Sequence, residues 1–162
     1  MSTQTGIGYD SHRLTPGGPL VLGGVRMESE WGLEGHSDAD VLTHAIIDAL
    51  LGAAGLGDIG QQFPDTDETW RDADSVELLE AVAARLHDAG LAARHIDATL
   101  MLEAPKLGAH RDAMRERLAG ALGLDPRHVN VKATTGEGVG FVGRGEGAAA
   151  LAVATVEPLV AL

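Results

Sequence analysis

The strongest helical pattern of the chain lies between Gly35 and Gly55. Its apolar residues recur every three or four positions and therefore share one face: Leu42, Ala45, Ile46, Ala49 and Leu50. Ser37, with Asp40 three residues later, is typical of a capping-box start. Gly52 and Gly55 stand where a helix should stop. The pattern predicts a helix whose apolar face packs on a sheet.

The opposite face of this helix is unusual because it carries a histidine between short acidic residues. Asp40, His44 and Asp48 are spaced four apart, so the helix should align them along one side. Further histidine and acidic residues flank the helix: His36, Asp58, Asp65 and Asp67. Two interpretations stay open from this pattern alone, a solvated stripe with caps and turns or a functional site.

Outside this helix, the pattern predicts strands and two more helices. The predicted strands cover residues 5–14, 20–24, 95–103, 128–135 and 148–156, with residues 25–27 completing a hairpin. The predicted helices cover residues 75–87 and 109–122. This order favours an α/β or α+β sandwich, in which a mixed sheet carries helices on one face. No sequence is left to cover the other face, so we expect a symmetric oligomer to bury it.

Length and composition fit one globular unit. At 162 residues the chain can bury a substantial core, and we expect a single domain over residues 1–162. No apolar run is long enough to span a membrane, and the first residues lack a signal sequence. We therefore expect a cytoplasmic protein without a membrane partner. Because the chain has no cysteine, disulfides, thiolate metal sites and cysteine nucleophiles are excluded.

The charge balance narrows the classes of partner. Twelve basic and 24 acidic residues give a formal net charge of −12, which argues against binding to nucleic acid or to an anionic membrane. A small phosphorylated substrate remains compatible, because a few local cations, backbone N–H groups and a metal ion suffice to hold it. Aromatic residues, at 3%, are too few for stacking on unpaired bases.

Three residues from separate segments could form a metal site. Asp10 and His12 are two apart on a predicted strand, so both side chains leave the same face. His44 on the central helix could supply a third ligand. Two imidazoles and one carboxylate suit Zn²⁺ with a fourth position open for water or substrate. The alternative is that His12 lies on the surface and His44 is a partly buried histidine without a metal.

Residues 132–147 form a second, glycine-rich cluster. Side chains able to surround phosphate oxygens occur at Lys132, Thr134, Thr135 and Arg144. Glu137 fits a Mg²⁺ ion that bridges phosphates better than it fits phosphate alone. The alternative is a glycine-rich hairpin, and no Walker sequence is present. Residues 104–106, which follow a predicted strand, could present backbone groups to a base.

Eight segments, in order along nearly the whole chain, carry a resemblance to a known family. They read YDSHRL, LGGV, GHSDADVLTHAIIDALLGAAGLGDIG, FPDTD, DADS, EAPK, VNVKATT and GFVGRGEG. They resemble the 2-C-methyl-D-erythritol 2,4-cyclodiphosphate synthase family of the non-mevalonate isoprenoid pathway. The resemblance implies a homotrimer with active sites between neighbouring subunits. The implied reaction is attack of the 2-phosphate of 4-diphosphocytidyl-2-C-methyl-D-erythritol 2-phosphate on its β-phosphorus, which releases CMP and forms the cyclic diphosphate.

The same resemblance implies a role for each matching residue. Asp10, His12 and His44 match the zinc ligands, and Glu137 matches the ligand of a second cation, Mg²⁺ or Mn²⁺. His36 and Thr135 match positions that stabilise the transition state. The matching substrate-binding positions are Ser37, Asp58, Gly60, Phe63, Asp65, Leu102, Ala104, Pro105, Lys106, Leu107, Gly108, Lys132, Thr134, Phe141 and Arg144. In several homologues the trimer axis holds an isoprenoid diphosphate.

The chain departs from the family pattern in the glycine-rich cluster. Gly136 and Gly138 stand where a common pattern, ATTTEKLGF, has a hydroxyl and a cation. Leu107 and Gly108 replace bulkier residues in the cytosine segment. Two other functions would use the same residues: a zinc-dependent hydrolase of phosphodiesters or diphosphates, and a non-catalytic trimeric protein that binds isoprenoid diphosphates or a partner enzyme.

Overall fold

The computed structural model describes residues 2–159 and contains a five-stranded mixed sheet with helices on one face. The strands are β1 (Gln4–Pro16), β2 (Leu20–Leu22), β3 (Val25–Met27), β4 (Trp31–Leu33), β5 (Leu91–Met101), β6 (Val129–Thr134) and β7 (Gly147–Pro158). The helices are α1 (Val41–Ala54), α2 (Ile59–Gln62), α3 (Ser75–Asp88), α4 (Arg111–Leu122) and α5 (Gly140–Gly143). Short 3₁₀ turns cover Glu68–Trp70, Gly108–His110 and Pro126–His128.

The sheet has the strand order β4-β1-β7-β5-β6, with β2 and β3 forming a separate hairpin. Strands β5 and β6 are parallel, and the other pairs in the large sheet are antiparallel. The predicted fold class is therefore confirmed: the sheet is mixed, and α1, α3 and α4 pack on one face of it. Within residues 2–159, no helix is long and apolar enough to cross a membrane.

Helix α1 lies unusually close to strand β1. A Cβ atom added at Gly8 would stand 1.9 Å from the carbonyl oxygen of Ala45, and one at Gly6 would stand 2.1 Å from that of Ala49. Only residues without a side chain allow this approach. The central strand β7 beside β1 contributes small buried residues to the same core: Ala148, Ala150, Ala152 and Ala154.

The start of α1 differs from the sequence expectation. Asp40, not Ser37, is the N-cap, so the predictions of a cap at Ser37 and of Asp40 on the polar face are wrong. The Asp40 carboxylate is fully buried and accepts hydrogen bonds from the N–H groups of Gly23, Gly24 and Thr43 and from the Thr43 hydroxyl. The turn between β2 and β3 supplies two of these donors, and a local sequence pattern does not reveal such a distant partner.

The other boundaries agree with the sequence or shift by a few residues. Helix α3 follows its cap Asp74 as predicted, whereas β5 begins four residues before the predicted residue 95. A 3₁₀ turn replaces the predicted start of α4. The short elements β4, α2 and α5 were not predicted, because three or four residues carry no periodicity. The glycine-rich cluster contains α5 rather than a hairpin.

The second face of the sheet is left open by the described residues. Ile7 and Tyr9 on β1 are 67% and 54% exposed, and Leu151 and Val153 on β7 are also exposed. These four large apolar side chains lie on adjacent paired strands, since Ile7 pairs with Val153 and Tyr9 with Leu151. They form a contiguous apolar patch, which we call the open-face patch. Patches of this kind are typical of protein–protein contacts.

Candidate active site

Strand β1 and helix α1 together position the three predicted metal ligands. Asp10 and His12 leave the same face of β1, and His44 in α1 faces them because the Gly8–Ala45 contact brings the helix close. Asp10 Oδ2 lies 2.7 Å from His12 Nε2 and 3.2 Å from His44 Nδ1. One ligand atom from each residue lies within 4.8 Å of the other two. The structure confirms the prediction that Asp10, His12 and His44, which we call the triad, lie close together.

Hydrogen bonds outside the triad orient both histidine rings. His12 Nδ1 lies 2.9 Å from the carbonyl oxygen of Glu34, so this nitrogen carries hydrogen and Nε2 faces Asp10. His44 Nε2 lies 3.0 Å from the hydroxyl of Ser37. The His44 side chain is only 11% exposed. Each ring is thus held on the side opposite the triad, as is typical of ligand histidines.

Contacts within the triad shift the pKa values of both Asp10 and His12. Burial alone would raise the pKa of Asp10, but hydrogen bonds and charges from His12 and His44 outweigh it and lower that pKa to about 2. Burial alone would lower the pKa of His12, but its hydrogen bond to Asp10 and the Asp10 charge raise it above 6.5. Asp10 is therefore ionised at neutral pH, and protonation of His12 Nε2 competes with a metal ion for that nitrogen.

The donor set fits a zinc ion of the catalytic type. Two imidazole nitrogens and one carboxylate oxygen provide three ligands of types that Zn²⁺ accepts, and the described residues place no fourth ligand among them. A structural zinc site would fill that position, whereas a catalytic site keeps it open. The arrangement can hold a divalent cation that also binds an oxygen of a substrate.

A first cavity, of about 340 Å³, opens beside the triad. Besides the triad, five predicted site residues line it: His36, Ser37, Gly60, Phe63 and Asp65. His36 Nε2 lies 3.8 Å from Asp65 Oδ2, and both side chains are largely exposed. Asp58 is outside the lining, and its carboxylate accepts a hydrogen bond from the N–H of Gln61 at the start of α2.

Several lining residues of the first cavity had no predicted role. Asp48 accepts a hydrogen bond of 2.8 Å from the N–H of Ile59 and so ties α1 to α2. Phe63 and Trp70 meet edge to face at 4.8 Å between ring centroids, and Leu78 completes an apolar wall. Asp48 stands one turn after His44, and this spacing was its only sequence signal. The cavity thus joins a polar end at the triad to an apolar end.

A second cavity, of about 660 Å³, lies where strands β5 and β6 end. Because the two strands are parallel, with Met101 opposite Thr134, the segments after them leave the same edge of the sheet. Predicted residues that line this cavity are Leu102, Pro105, Lys106, Leu107, Gly108, Thr134, Thr135 and Glu137. Glu103 and Arg111 also line it and were missed, whereas Ala104 is outside the lining. The first and second cavities share no lining residue.

The remaining predicted substrate residues lie outside both cavities. Lys132 Nζ donates to Asp97 Oδ2 at 2.8 Å on the open face of the sheet, and this hydrogen bond lowers the pKa of Asp97. Arg144 Nε donates to Glu146 at 2.8 Å. Phe141 lines a third, smaller cavity with Ser11, His12, Arg13, Glu146 and Gly147. Lys132 and Arg144 are therefore engaged by carboxylates on their own chain.

Comparisons with known proteins identify the family of the chain. The chain matches the YgbB family over residues 3–157. It is 58% identical to a 2-C-methyl-D-erythritol 2,4-cyclodiphosphate synthase of Salinibacter ruber over 94% of this chain and 97% of the relative. A solved structure of a synthase of this name in a CDP-bound form is 38% identical, with a TM-score of 0.88 over 95% of this chain and all of that one.

A longer relative contains the same fold as one part. The bifunctional IspDF from Campylobacter jejuni is 43% identical, with a TM-score of 0.93, over 98% of this chain and 43% of that chain. Matches at this identity over nearly the full length of the chain show common family membership. The chain therefore belongs to the YgbB family, together with enzymes named 2-C-methyl-D-erythritol 2,4-cyclodiphosphate synthase.

Proposed function

We propose that the chain converts 4-diphosphocytidyl-2-C-methyl-D-erythritol 2-phosphate to 2-C-methyl-D-erythritol 2,4-cyclodiphosphate and CMP, as a cyclising phosphorus–oxygen lyase of the non-mevalonate isoprenoid pathway. The observation that carries this proposal is the triad of Asp10, His12 and His44 at the polar end of a cavity. The near full-length identity to a named synthase supports the substrate. A cytoplasmic location stays a prediction.

The triad would hold the Zn²⁺ ion of this reaction. Zn²⁺ bound there supplies a Lewis acid that withdraws charge from the β-phosphate. Asp10, which is ionised at neutral pH, is the negatively charged member of the triad. Glu34 orients His12 and Ser37 orients His44 through the hydrogen bonds described above. The reaction needs alignment and charge neutralisation more than a protein nucleophile.

The first cavity would bind the methylerythritol part of the substrate. His36 and Ser37 stand beside the triad, where they can hold the attacking 2-phosphate and stabilise the transition state. Asp65 and the segment from Asp58 to Gly60 would accept hydrogen bonds from the hydroxyl groups. Phe63 belongs to the apolar wall and can contact the carbon skeleton.

The second cavity would bind the cytidine diphosphate part. Leu102 and residues 104–108 would surround the base, and Thr134 and Thr135 would contact the diphosphate. Glu137 would hold a Mg²⁺ or Mn²⁺ ion, which would neutralise negative charge on the diphosphate. Thr135 is proposed to stabilise the transition state. Lys132 can make its predicted substrate contact only if its ion pair with Asp97 breaks.

A homotrimer would unite the two halves of the site. One substrate must contact both cavities, yet they share no lining residue on one chain. The open-face patch offers apolar surface for subunit contacts. In this arrangement the first cavity of one subunit faces the second cavity of its neighbour. Phe141 and Arg144 would then lie near the trimer axis, where the resemblance implies an isoprenoid diphosphate.

Product analysis tests the proposed function directly. We expect ³¹P NMR of the purified, metal-loaded protein with the cytidine substrate to show CMP and the cyclic diphosphate in equal amounts. A linear phosphate product would instead identify a zinc-dependent hydrolase. Tight nucleotide or isoprenoid binding without turnover would identify a non-catalytic binding protein.

A further inference from the structure

We propose that Glu103 is a positioning residue that fixes the main chain between Thr135 and Glu137. Glu103 follows the end of β5 by two residues, and Gly136 follows the end of the parallel strand β6 by two. The Glu103 carboxylate accepts a hydrogen bond from the N–H of Gly136. The contact therefore joins the base-binding segment to the diphosphate-binding segment. The inference rests on the proposed function for the roles of Thr135 and Glu137.

The loop that Glu103 holds is confined on its other side. A Cβ atom added at Gly136 would stand 2.5 Å from the backbone nitrogen of Gly143 in α5. The carbonyl oxygen of Gly136 also accepts a hydrogen bond of 2.9 Å from the N–H of Val139. Gly136 is thus fixed between the Glu103 carboxylate and α5, and no bulkier residue fits there without movement.

The residue after Gly136 has a backbone conformation that needs such support. Glu137 has φ = +52°, in the left-handed region, which is unfavourable for a residue with a side chain. Strained residues of this kind persist where the surrounding contacts determine their conformation, and they are common at functional sites. Gly136, which directly precedes Glu137, is held by its hydrogen bond to the Glu103 carboxylate. This contact therefore supports the strained conformation of Glu137.

The fixed loop sets the relative position of two functional side chains. The N–H of Glu137 donates to the Thr135 hydroxyl at 3.3 Å, and this hydroxyl lies 3.4 Å from Glu137 Oε1. Both side chains are exposed to the second cavity. A second carboxylate besides Glu137, in a cavity for a diphosphate, opposes binding by charge repulsion. The hydrogen bond to Gly136 gives Glu103 a role that accounts for its presence there.

Two conservative substitutions distinguish the effect of the length of the Glu103 side chain from the effect of its charge. Glu103→Gln keeps an acceptor oxygen at the same distance but removes the charge, whereas Glu103→Asp keeps the charge on a shorter side chain. We expect kcat to stay within about twofold of wild type in Glu103→Gln and to fall about tenfold in Glu103→Asp. In Glu103→Asp, KM should change less than kcat, and the half-saturating Mn²⁺ concentration should rise about fivefold. Glu116→Asp, an exposed change on α4, is the matched control.

The exchange rate of the Gly136 amide hydrogen gives a readout independent of activity. We expect faster exchange in Glu103→Asp than in wild type or Glu103→Gln, because the amide loses its acceptor. Equal exchange in all three proteins would overturn the inference, as would equal loss of kcat in both variants or in neither. Absence of turnover in wild type would refute the proposed function instead, and the Gly136 exchange would still test the contact with Glu103.

Discussion

The two ring nitrogens of His12 have different partners, and this decides how the residue can act. Nδ1 faces the carbonyl oxygen of Glu34, which accepts only, while Nε2 faces Asp10. A Cβ atom at Gly35 would stand 3.1 Å from the His12 ring, so the loop before α1 also confines it. His12 is thus held with Nε2 directed at the proposed metal position, which requires little reorganisation on binding.

Removing the His12 imidazole should abolish metal binding without unfolding the chain. We expect His12→Ala to lower zinc content and to reduce turnover about 100-fold or more, because two ligands bind the ion far less tightly than three. The side chain is outside the hydrophobic core, so the thermal midpoint should change little. Metal analysis and circular dichroism measure both quantities. His95→Ala, at an exposed histidine of β5, is the control; full zinc occupancy in His12→Ala would contradict the assignment.

Zinc affinity should fall as the pH falls. The pKa of His12 is raised above 6.5 before an ion binds, chiefly because Asp10 outweighs the effect of burial. A proton and the zinc ion compete for His12 Nε2. Protonation should therefore weaken zinc binding at pH values near and above 6.5, the ordinary pKa of histidine. Asp10, with a pKa of about 2, stays ionised throughout this range. Calorimetric titration with zinc between pH 6 and 8 in several buffers should show proton release; pH-independent affinity would contradict this.

Residue patterns revealed the triad but not the contacts that cross the fold. Asp10 and His12 were predictable because a strand has period two, and the resemblance selected His44 as their partner. The pairing of Lys132 with Asp97 depends on the parallel register of β5 and β6, which a single sequence does not give. Glu103 meets Gly136 for the same reason. Contacts of this kind leave no local sequence pattern, so the sequence did not reveal them.

At the scale of elements, the close packing of α1 on β1 holds the triad together. A Gly8→Ala substitution would place a Cβ atom 1.9 Å from the carbonyl oxygen of Ala45 and push the helix away from the strand. We expect a loss of about 2–4 kcal/mol in the free energy of unfolding, together with weaker zinc binding, because His44 moves with α1. Denaturant unfolding and zinc titration measure these effects.

Gly52→Ala on the same helix is the matched control for Gly8→Ala. A Cβ atom there meets only the carbonyl oxygen of Ile7, at 3.8 Å, so it fits without movement. We expect the free energy of unfolding to stay level or to rise by about 0.5–1 kcal/mol, since alanine favours a helix. Equal behaviour of the two variants would contradict the packing argument.

Element prediction succeeded where periodicity was long and failed where tertiary contacts decide. The apolar face of α1 and the spacing in α3 specified both helices. The α1 start was misplaced because Asp40 is held by the glycine N–H groups of the β2–β3 turn. Helix α5 depends on close contact between Gly143 and Gly138, where an added Cβ would stand 2.4 Å away, and no propensity scale predicts that contact.

At the scale of the whole molecule, the proposed site needs two subunits, and mixed oligomers test this. His44→Ala damages the first cavity and Thr135→Ala the second, so each variant alone should be nearly inactive. In a trimer with both variants, one interface joins an intact first cavity to an intact second cavity. Random mixing should therefore restore about a quarter of the wild-type sites.

The control for this mixing experiment is a chain carrying both substitutions. Mixed with either single variant, it forms no interface with two intact cavities and should give no recovery. Subunits exchanged by co-expression and compared by turnover per trimer provide the measurement. A mixture of the two single variants that stays inactive would contradict an active site shared between subunits.

Anomalous diffraction at the zinc edge, from crystals grown with zinc and CDP, tests the central claim most directly. The account predicts one zinc ion bound by Asp10, His12 and His44, with its open position directed at the β-phosphate of CDP. The cytosine should lie in the second cavity of a neighbouring subunit. A zinc ion elsewhere, or a nucleotide bound far from the three ligands, would contradict it.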